Sequence, residues 1–295
     1  MRDRLVAFAL QTLIRGLRWL SYRATQRLGG VVGALAYLRN GTLRRVTQTN
    51  LSVCFPNLSL HDVEVLARES LRHTGRYAAE CGIIWGRKDQ RWKSLIKDVV
   101  GAHVIEDAQK AEKGVLVLVP HFGNWEILNL FLGERYGLTA LYEPMRIAGL
   151  DPIVKGGRTR TGSTLVPTNA GGIRALYGAL REGRVVGLLP DQVPNAGGVY
   201  TEFFGRPALT MVLAHRLNAR VAPRLVLGHA RRLPDADGFC IAFEALPQLE
   251  QITEQNHALK EMNAAIERLV RTDPAQYQWE YKRFKRPRLG DQRIY

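Results

Sequence analysis

The sequence predicts an α/β fold, with a largely parallel central sheet flanked by helices and a helical segment at the N-terminus. Three observations carry that prediction. From Gly114 onward, short apolar runs alternate with stretches of helical periodicity. Such alternation sets parallel strands in one sheet with helices on its faces. The chain has 295 residues, enough to bury a core without disulfides or metals. Its three cysteines, Cys54, Cys81 and Cys240, are scattered with no CxxC pair, against a disulfide framework or a zinc module. Hydrophobic residues make up 46% and charged residues 23%, which excludes wholesale disorder, a fibrous repeat and a multi-span membrane protein.

The N-terminal part, residues 5–38, is rich in Leu, Val, Ala and aromatics but is interrupted by Arg15, Arg18, Arg23 and Arg27. A membrane-crossing helix needs roughly 20 consecutive apolar residues. The cleanest run, 28–38, has only 11, three of them glycine. At about 100° per residue, Arg4, Arg15, Arg18, Arg23 and Arg27 share one half of a helical wheel. Leu5, Phe8, Ala9, Leu13, Trp19 and Leu20 take the opposite arc. This is the pattern of a helix lying in a membrane interface. An amphipathic helix packed on the protein's own core would look the same. The arginines and the lack of a small-residue cleavage site argue against a signal peptide. Residues 1–42 are thus read as a membrane-associating segment and 43–295 as one α/β domain.

Residues 43–99 read as helical, with Ser59 able to cap a helix through Val63, Leu66, Ala67 and Leu71 to Ile84. Strands are expected at 115–119, 139–142, 163–167, 185–189, 221–227 and 239–245. Helices are expected at 125–135, 172–182, 210–218 and 257–271. No repeat, low-complexity tract or linker divides the chain.

The sharpest chemical feature is His121, Phe122, Gly123, Asn124, Trp125 and Glu126, directly after the first strand of the alternating region. Sites in open α/β sheets gather at the carboxyl ends of strands. Gly123 permits a tight turn and Asn124 is a good helix N-cap. That geometry would bring Glu126, in the first helical turn, to His121. A carboxylate on one imidazole nitrogen fixes the tautomer and leaves the other as an acceptor for a hydroxyl proton. The bland reading is a strand-end histidine with Glu126 paired to an arginine. No HExxH and no third ligand support zinc. No GxSxG supports a serine hydrolase.

Lys155, Arg158 and Arg160, set among glycines before an expected strand, could approach an anion closely; a solvated basic loop would have the same composition. Asp191 and Gln192 follow Pro190 at another strand end and could orient a hydroxyl-bearing substrate or simply terminate the strand. Residues 203–207 are apolar enough to line an acyl pocket or to belong to the core. The stretch 276–286 interleaves Tyr277, Trp279 and Phe284 with Lys282, Arg283, Lys285 and Arg286. That composition suits a lipid headgroup interface or stacked nucleic-acid bases. The net charge of +15 calls for an anionic partner without choosing one. No nucleic-acid-binding signature is present.

Together these pieces resemble the late acyltransferases of lipid A biosynthesis. They form a group within the wider acyltransferases whose motif is a histidine and, five positions on, an acidic residue. The resemblance runs from Asn50, Cys54, Phe55 and Pro56, through Glu80 and Trp85, to His121 and Glu126. It continues through Arg158, Arg160 and Gly162; Pro190, Asp191 and Gln192; Phe203, Phe204 and Gly205; and Val221 and Pro223. It ends at Gln276, Tyr277, Trp279, Arg283, Phe284 and Lys285. Family members usually carry a clearer transmembrane segment than this chain does. The resemblance implies a glycerolipid-acyltransferase-like fold at the cytoplasmic face of a bacterial inner membrane. It implies transfer of a fatty acyl chain, lauroyl-like, from acyl-acyl carrier protein to a hydroxyl of a lipid A precursor. His121 would be the base and Glu126 its orienting partner. Arg158 and Arg160, with Asp191 and Gln192, would hold the acceptor. No cofactor, metal or nucleic acid is implied. Another lysophospholipid or glycolipid acceptor stays open, as does a non-catalytic basic protein that binds membrane or nucleic acid.

Overall fold

The computed structural model describes residues 2–86 and 89–295, with side chains from Ala7 onward. Arg4 and Leu5, part of the expected wheel, have side chains outside the described residues. In chain order the elements begin with α1 (Arg2–Leu17), α2 (Tyr22–Leu38), α3 (Thr42–Cys54), α4 (Leu60–Gly86), β1 (Ile96–Val100), α5 (His103–Lys110) and β2 (Val115–Leu118). Then come α6 (Trp125–Tyr136), β3 (Thr139–Tyr142), α7 (Asp151–Thr159), β4 (Thr164–Pro167), α8 (Ala170–Arg181) and β5 (Val185–Leu188). The chain closes with β6 (Val199–Phe203), β7 (Arg206–Thr210), α9 (Leu213–Val221), β8 (Arg224–Arg232), β9 (Phe239–Ala245), α10 (Pro247–Gln251) and α11 (Gln255–Thr272).

Seven strands form the sheet in the order β1-β9-β8-β2-β5-β3-β4. The block from β8 to β4 is parallel. β9 turns back antiparallel to β8, and β1 runs parallel to β9 at the edge. Every residue of β2 and β5 is buried, as expected of central strands covered on both faces. Alternation divides them between two cores. Leu116, Leu118, Val186 and Leu188 face the layer of α3, α4, α8, α9 and α11. Val115, Val117 and Val185 face α5 and α6. Each such side chain stabilises the fold by about 1.5–3 kcal/mol relative to exposure.

Several boundaries differ from expectation. Residues 43–99 are not all helical, because Ile96–Val100 pairs with β9 as an edge strand. Residues 199–210 form a β6–β7 hairpin whose two-residue turn, Phe204 and Gly205, has positive φ at both positions, the conformation that matches strand twist. The next helix therefore starts at Leu213 rather than at 210. Ala222 in the left-handed region ends it and delays β8 to Arg224.

The N-terminal residues form two helices rather than one wheel. The Ser21 hydroxyl accepts from the Ala24 amide and caps α2. α2 lies backbone to backbone on α4. A Cβ on Gly33 would stand 2.0 Å from the Leu71 carbonyl oxygen, and one on Gly75 would stand 2.2 Å from that of Gly29. The outward face of α2 exposes Leu28, Val31, Val32, Leu35 and Leu38, and α1 exposes Phe8 and Leu13. No helix among the described residues is long and apolar enough to cross a membrane.

Candidate active site

β2 and β5 are parallel neighbours with Leu118 opposite Leu188. Both chains leave the sheet at the same end, so the residues three positions further on, His121 and Asp191, arrive side by side. The His121 ring Nδ1 lies 2.8 Å from Asp191 Oδ1, and the His121 amide donates to Oδ2 at 2.8 Å. An ionised carboxylate only accepts, so Nδ1 carries the proton and Nε2 is left as an acceptor. Burial pushes the Asp191 carboxyl up. The attraction of the His121 imidazole and hydrogen bonds from its ring and amide outweigh this and hold the carboxyl below its ordinary range. The Asp191 side chain is 1% exposed and that of His121 13%, so the dyad opens outward only through the imidazole.

The turn that delivers His121 is built as expected. Gly123 has φ +62, and a Cβ there would lie 2.0 Å from the Ala230 carbonyl oxygen, so only glycine fits. Asn124 caps α6, its Oδ1 accepting from the amides of Glu126 and Ile127 at 3.0 Å each. Asn124 Nδ2 donates to Glu80 Oε2 at 2.7 Å, and the same carboxylate holds Arg232 through two further hydrogen bonds. From the other side, the C-terminal strap closes on the turn. The Gln278 amide donates to the His121 carbonyl and the Gly123 amide to the Gln276 carbonyl.

Glu126 does not meet His121, which corrects the expected pairing. It sits in the first turn of α6 and turns to α7 and α4: Arg158 Nε donates to Oε2 at 3.0 Å and Nη2 to Oε1 at 2.5 Å; Trp85 Nε1 donates to Oε2 at 3.0 Å. Burial pulls the Arg158 guanidinium down, and Glu126 more than restores it, so its pKa is raised. Arg158 is therefore committed within the protein and is not the open anion grip that was expected. It lies on α7, not in a loop. Arg160, just past that helix, donates from Nη1 to the Asp89 carbonyl. Gln192 Nε2 donates to Gln278 Oε1 at 2.9 Å, tying the β5 end to the strap.

From His121 an apolar cleft of about 520 Å³ runs between α6 and the sheet. Leu128, Leu132, Leu138, Ala140, Leu165, Gly187 and Leu188 line it. Glu126 and Arg158 stand in its wall beside His121, and the exposed Arg146 and Lys285 also line it. A buried acid–imidazole pair at the head of a long apolar cleft suits proton removal from a hydroxyl next to a bound hydrocarbon chain.

The family model described as bacterial lipid A biosynthesis acyltransferase matches residues 2–286. The chain belongs to this family. Among relatives of this acyltransferase is the lipid A biosynthesis palmitoleoyltransferase of Escherichia coli (strain K12), 27% identical over 95% of this chain and 92% of the relative. The lauroyltransferase of the same organism is 27% identical over 92% of this chain and 89% of its own. Its myristoyltransferase is 25% identical over 90% and 81%. Its activity is thus acyl transfer in lipid A biosynthesis.

The C-terminal strap of this acyltransferase escaped sequence reasoning. The 276–286 stretch is only partly surface: Lys282, Lys285 and Arg286 are exposed, whereas Tyr277, Trp279, Arg283 and Phe284 are buried, and Asn50 Nδ2 donates to the carbonyls of Trp279 and Tyr281 to hold the strap. Phe203 and Phe204 likewise lie in the core, against the strap and away from the cleft lining. Glu280, on the strap, lines a cavity of about 20 Å³ shared with His121. Burial raises the Glu280 carboxyl, and its Oε2 has no hydrogen-bond partner among the described residues.

Proposed function

We propose that His121 and Asp191 form the acid–base pair of a lipid A acyltransferase that takes its chain from acyl-acyl carrier protein. The acceptor is a hydroxyl on a lipid A precursor. His121 Nε2 removes the hydroxyl proton while Asp191 holds the ring and balances its charge. The alkoxide attacks the thioester carbonyl. Collapse of the tetrahedral adduct forms the ester and expels the thiolate, which recovers the proton from His121. Glu126 and Arg158 act one step away, as an ion pair that fixes the cleft wall beside the reacting atoms.

The observation that carries this reading is the two-point Asp191–His121 contact at the head of the apolar cleft. The acyl chain lies in the cleft, and Arg146 and Lys285 at its rim attract an acidic carrier. Gln192 keeps the strap in register with the β5 end. Laurate is the first chain to test; relatives carry palmitoleate, laurate and myristate in their names.

The exposed apolar faces of α1 and α2 dip into the interface of the inner membrane on its cytoplasmic side. Arg15 and Arg39, both exposed, meet lipid phosphates around them.

The test is transfer by the purified chain from lauroyl-, myristoyl- and palmitoleoyl-acyl carrier protein to a lipid A precursor, with His121→Ala beside it. Transfer lost in the variant supports the reading. Transfer that persists overturns it, and transfer only to lysophospholipids moves the acceptor.

A further inference from the structure

A second large recess lies across His121 from the acyl cleft. It holds about 870 Å³ and is walled by α2, α4, the end of β8 and the turn after it. His73, Arg232 and Gln276 line both this recess and a narrow neck that also touches His121 and Trp125. His121 and Trp125 in turn line the acyl cleft. The imidazole stands on the partition between an apolar cleft and a basic recess.

The cations of the recess are not equivalent. Arg232 is bonded to Glu80 through two nitrogens. Arg76 donates to Glu69 at 3.2 Å. Asp273, one of the acidic lining residues, accepts from Gln276 at 2.7 Å, and Asp235 is the other besides Glu69. Arg23, Arg27 and Arg231 line the recess, are exposed, and have no carboxylate at ion-pair distance among the described residues. Three uncommitted guanidinium forks around one concavity match the oxygens of a phosphate.

We propose that this recess binds a lipid-borne phosphate monoester, the phosphorylated sugar headgroup of the acceptor, with Arg23, Arg27 and Arg231 as its ligands. The proposal rests on the acyl-transfer reading and adds where the acceptor sits. The layout of α2 selects a lipid over a soluble ligand. At about 100° per residue, Arg23 and Arg27 fall between the face buried on α4 and the exposed stripe of Leu28, Val31, Val32 and Leu35. A headgroup in the recess therefore keeps its chains level with the apolar stripe. The neck between that headgroup and His121 holds only about 20 Å³, so it sets the separation of headgroup and imidazole and is no passage for the acceptor's chain.

The test uses the purified full chain in mixed micelles, with a phosphorylated lipid A precursor and the same precursor after phosphatase treatment. Arg27→Gln and Arg231→Gln, singly and together, are compared with wild type. All are exposed positions, so the thermal unfolding midpoint should stay in place. The ratio of kcat/KM for the phosphorylated over the dephosphorylated acceptor should fall about tenfold for each guanidinium removed. An unchanged ratio overturns the proposal. So does a rise in KM for the acyl donor instead, which would give the recess to the carrier protein. Equilibrium binding of the two precursors to His121→Ala protein, with and without Arg27→Gln and Arg231→Gln, needs no turnover. A preference for the phosphorylated precursor that the arginine substitutions abolish supports the site even if transfer fails with both acceptors, which would count against the acyl-transfer reading alone. Equal binding of the two precursors contradicts the site.

Discussion

Asp191 holds His121 at two points, its Oδ1 facing the ring Nδ1 and its Oδ2 accepting from the backbone amide, both at 2.8 Å. One bond sets the tautomer; the other prevents the ring and the backbone from moving independently. The parallel pairing of β2 with β5 makes both possible, because it brings the two chain exits to the same height.

Asp191→Asn keeps an acceptor near the ring but no longer balances the charge that His121 acquires. We expect kcat to fall by about 10²–10⁴-fold, the usual contribution of a positioned acid–base group, with a smaller change in acceptor KM. Initial rates at saturating donor measure this. A kcat within a few-fold of wild type would remove Asp191 from the dyad.

Glu126 and Arg158 form a pair with side-chain exposures of 1% and 25%. Removing Glu126 leaves the Arg158 guanidinium, a quarter exposed, without its partner, which costs about 1–3 kcal/mol. Glu126→Ala should lower the melting temperature by several degrees, and Glu126→Leu combined with Arg158→Leu should recover part of the loss. Calorimetry on the three proteins decides it. Full stability in Glu126→Ala would show that the pair does not hold the cleft wall.

Acid should destabilise the fold through His73. Burial first, then Arg232 and Arg76, lower its pKa to about 2. Arg232 donates to its Nδ1 at 2.9 Å, and Glu69 lies 3.9 Å from its Nε2. The unfolded chain protonates this histidine near pH 6.5, whereas the native chain does not. Native stability is therefore lost as pH falls below about 6.5, by up to about 1.4 kcal/mol per pH unit. His73→Gln should flatten denaturant-derived stability between pH 6.5 and 5 by about 2 kcal/mol. An unchanged slope would contradict a neutral native His73.

Chain length should respond to the cleft floor, where Ala140 and Gly187 sit opposite each other on β3 and β5. Ala140→Leu fills space next to Leu138 and Leu165. The preferred donor should become shorter by a few carbons, read from products formed with a mixture of saturated donors. The same preference as wild type would place the chain elsewhere.

What the sequence made legible was local. The continuous apolar runs of β2 and β5 read as buried strands, and Gly123 with Asn124 read as a turn and cap, because each depends on a few adjacent residues. The partner of His121 was not legible in that way. Glu126 is near in sequence, but Asn124 starts α6 so that Glu126 turns toward Arg158 and Trp85. Asp191 is 70 residues away, and only the β2–β5 register reveals it. The strap was misread for a related reason. Arg283 looks like surface charge until its guanidinium is seen to donate to the Leu209 carbonyl and the Thr210 hydroxyl inside the core. β1 was missed because its burial pattern is mostly exposed, leaving little apolar signal at a sheet edge.

The most direct test of the His121–Asp191 assignment is mass spectrometry of lipid A from cells lacking this gene, complemented with wild type, His121→Ala or Asp191→Asn. Wild type should restore one secondary acyl chain, whose mass also gives its length, while His121→Ala restores none and Asp191→Asn restores a small fraction. Full restoration by His121→Ala would contradict the assignment.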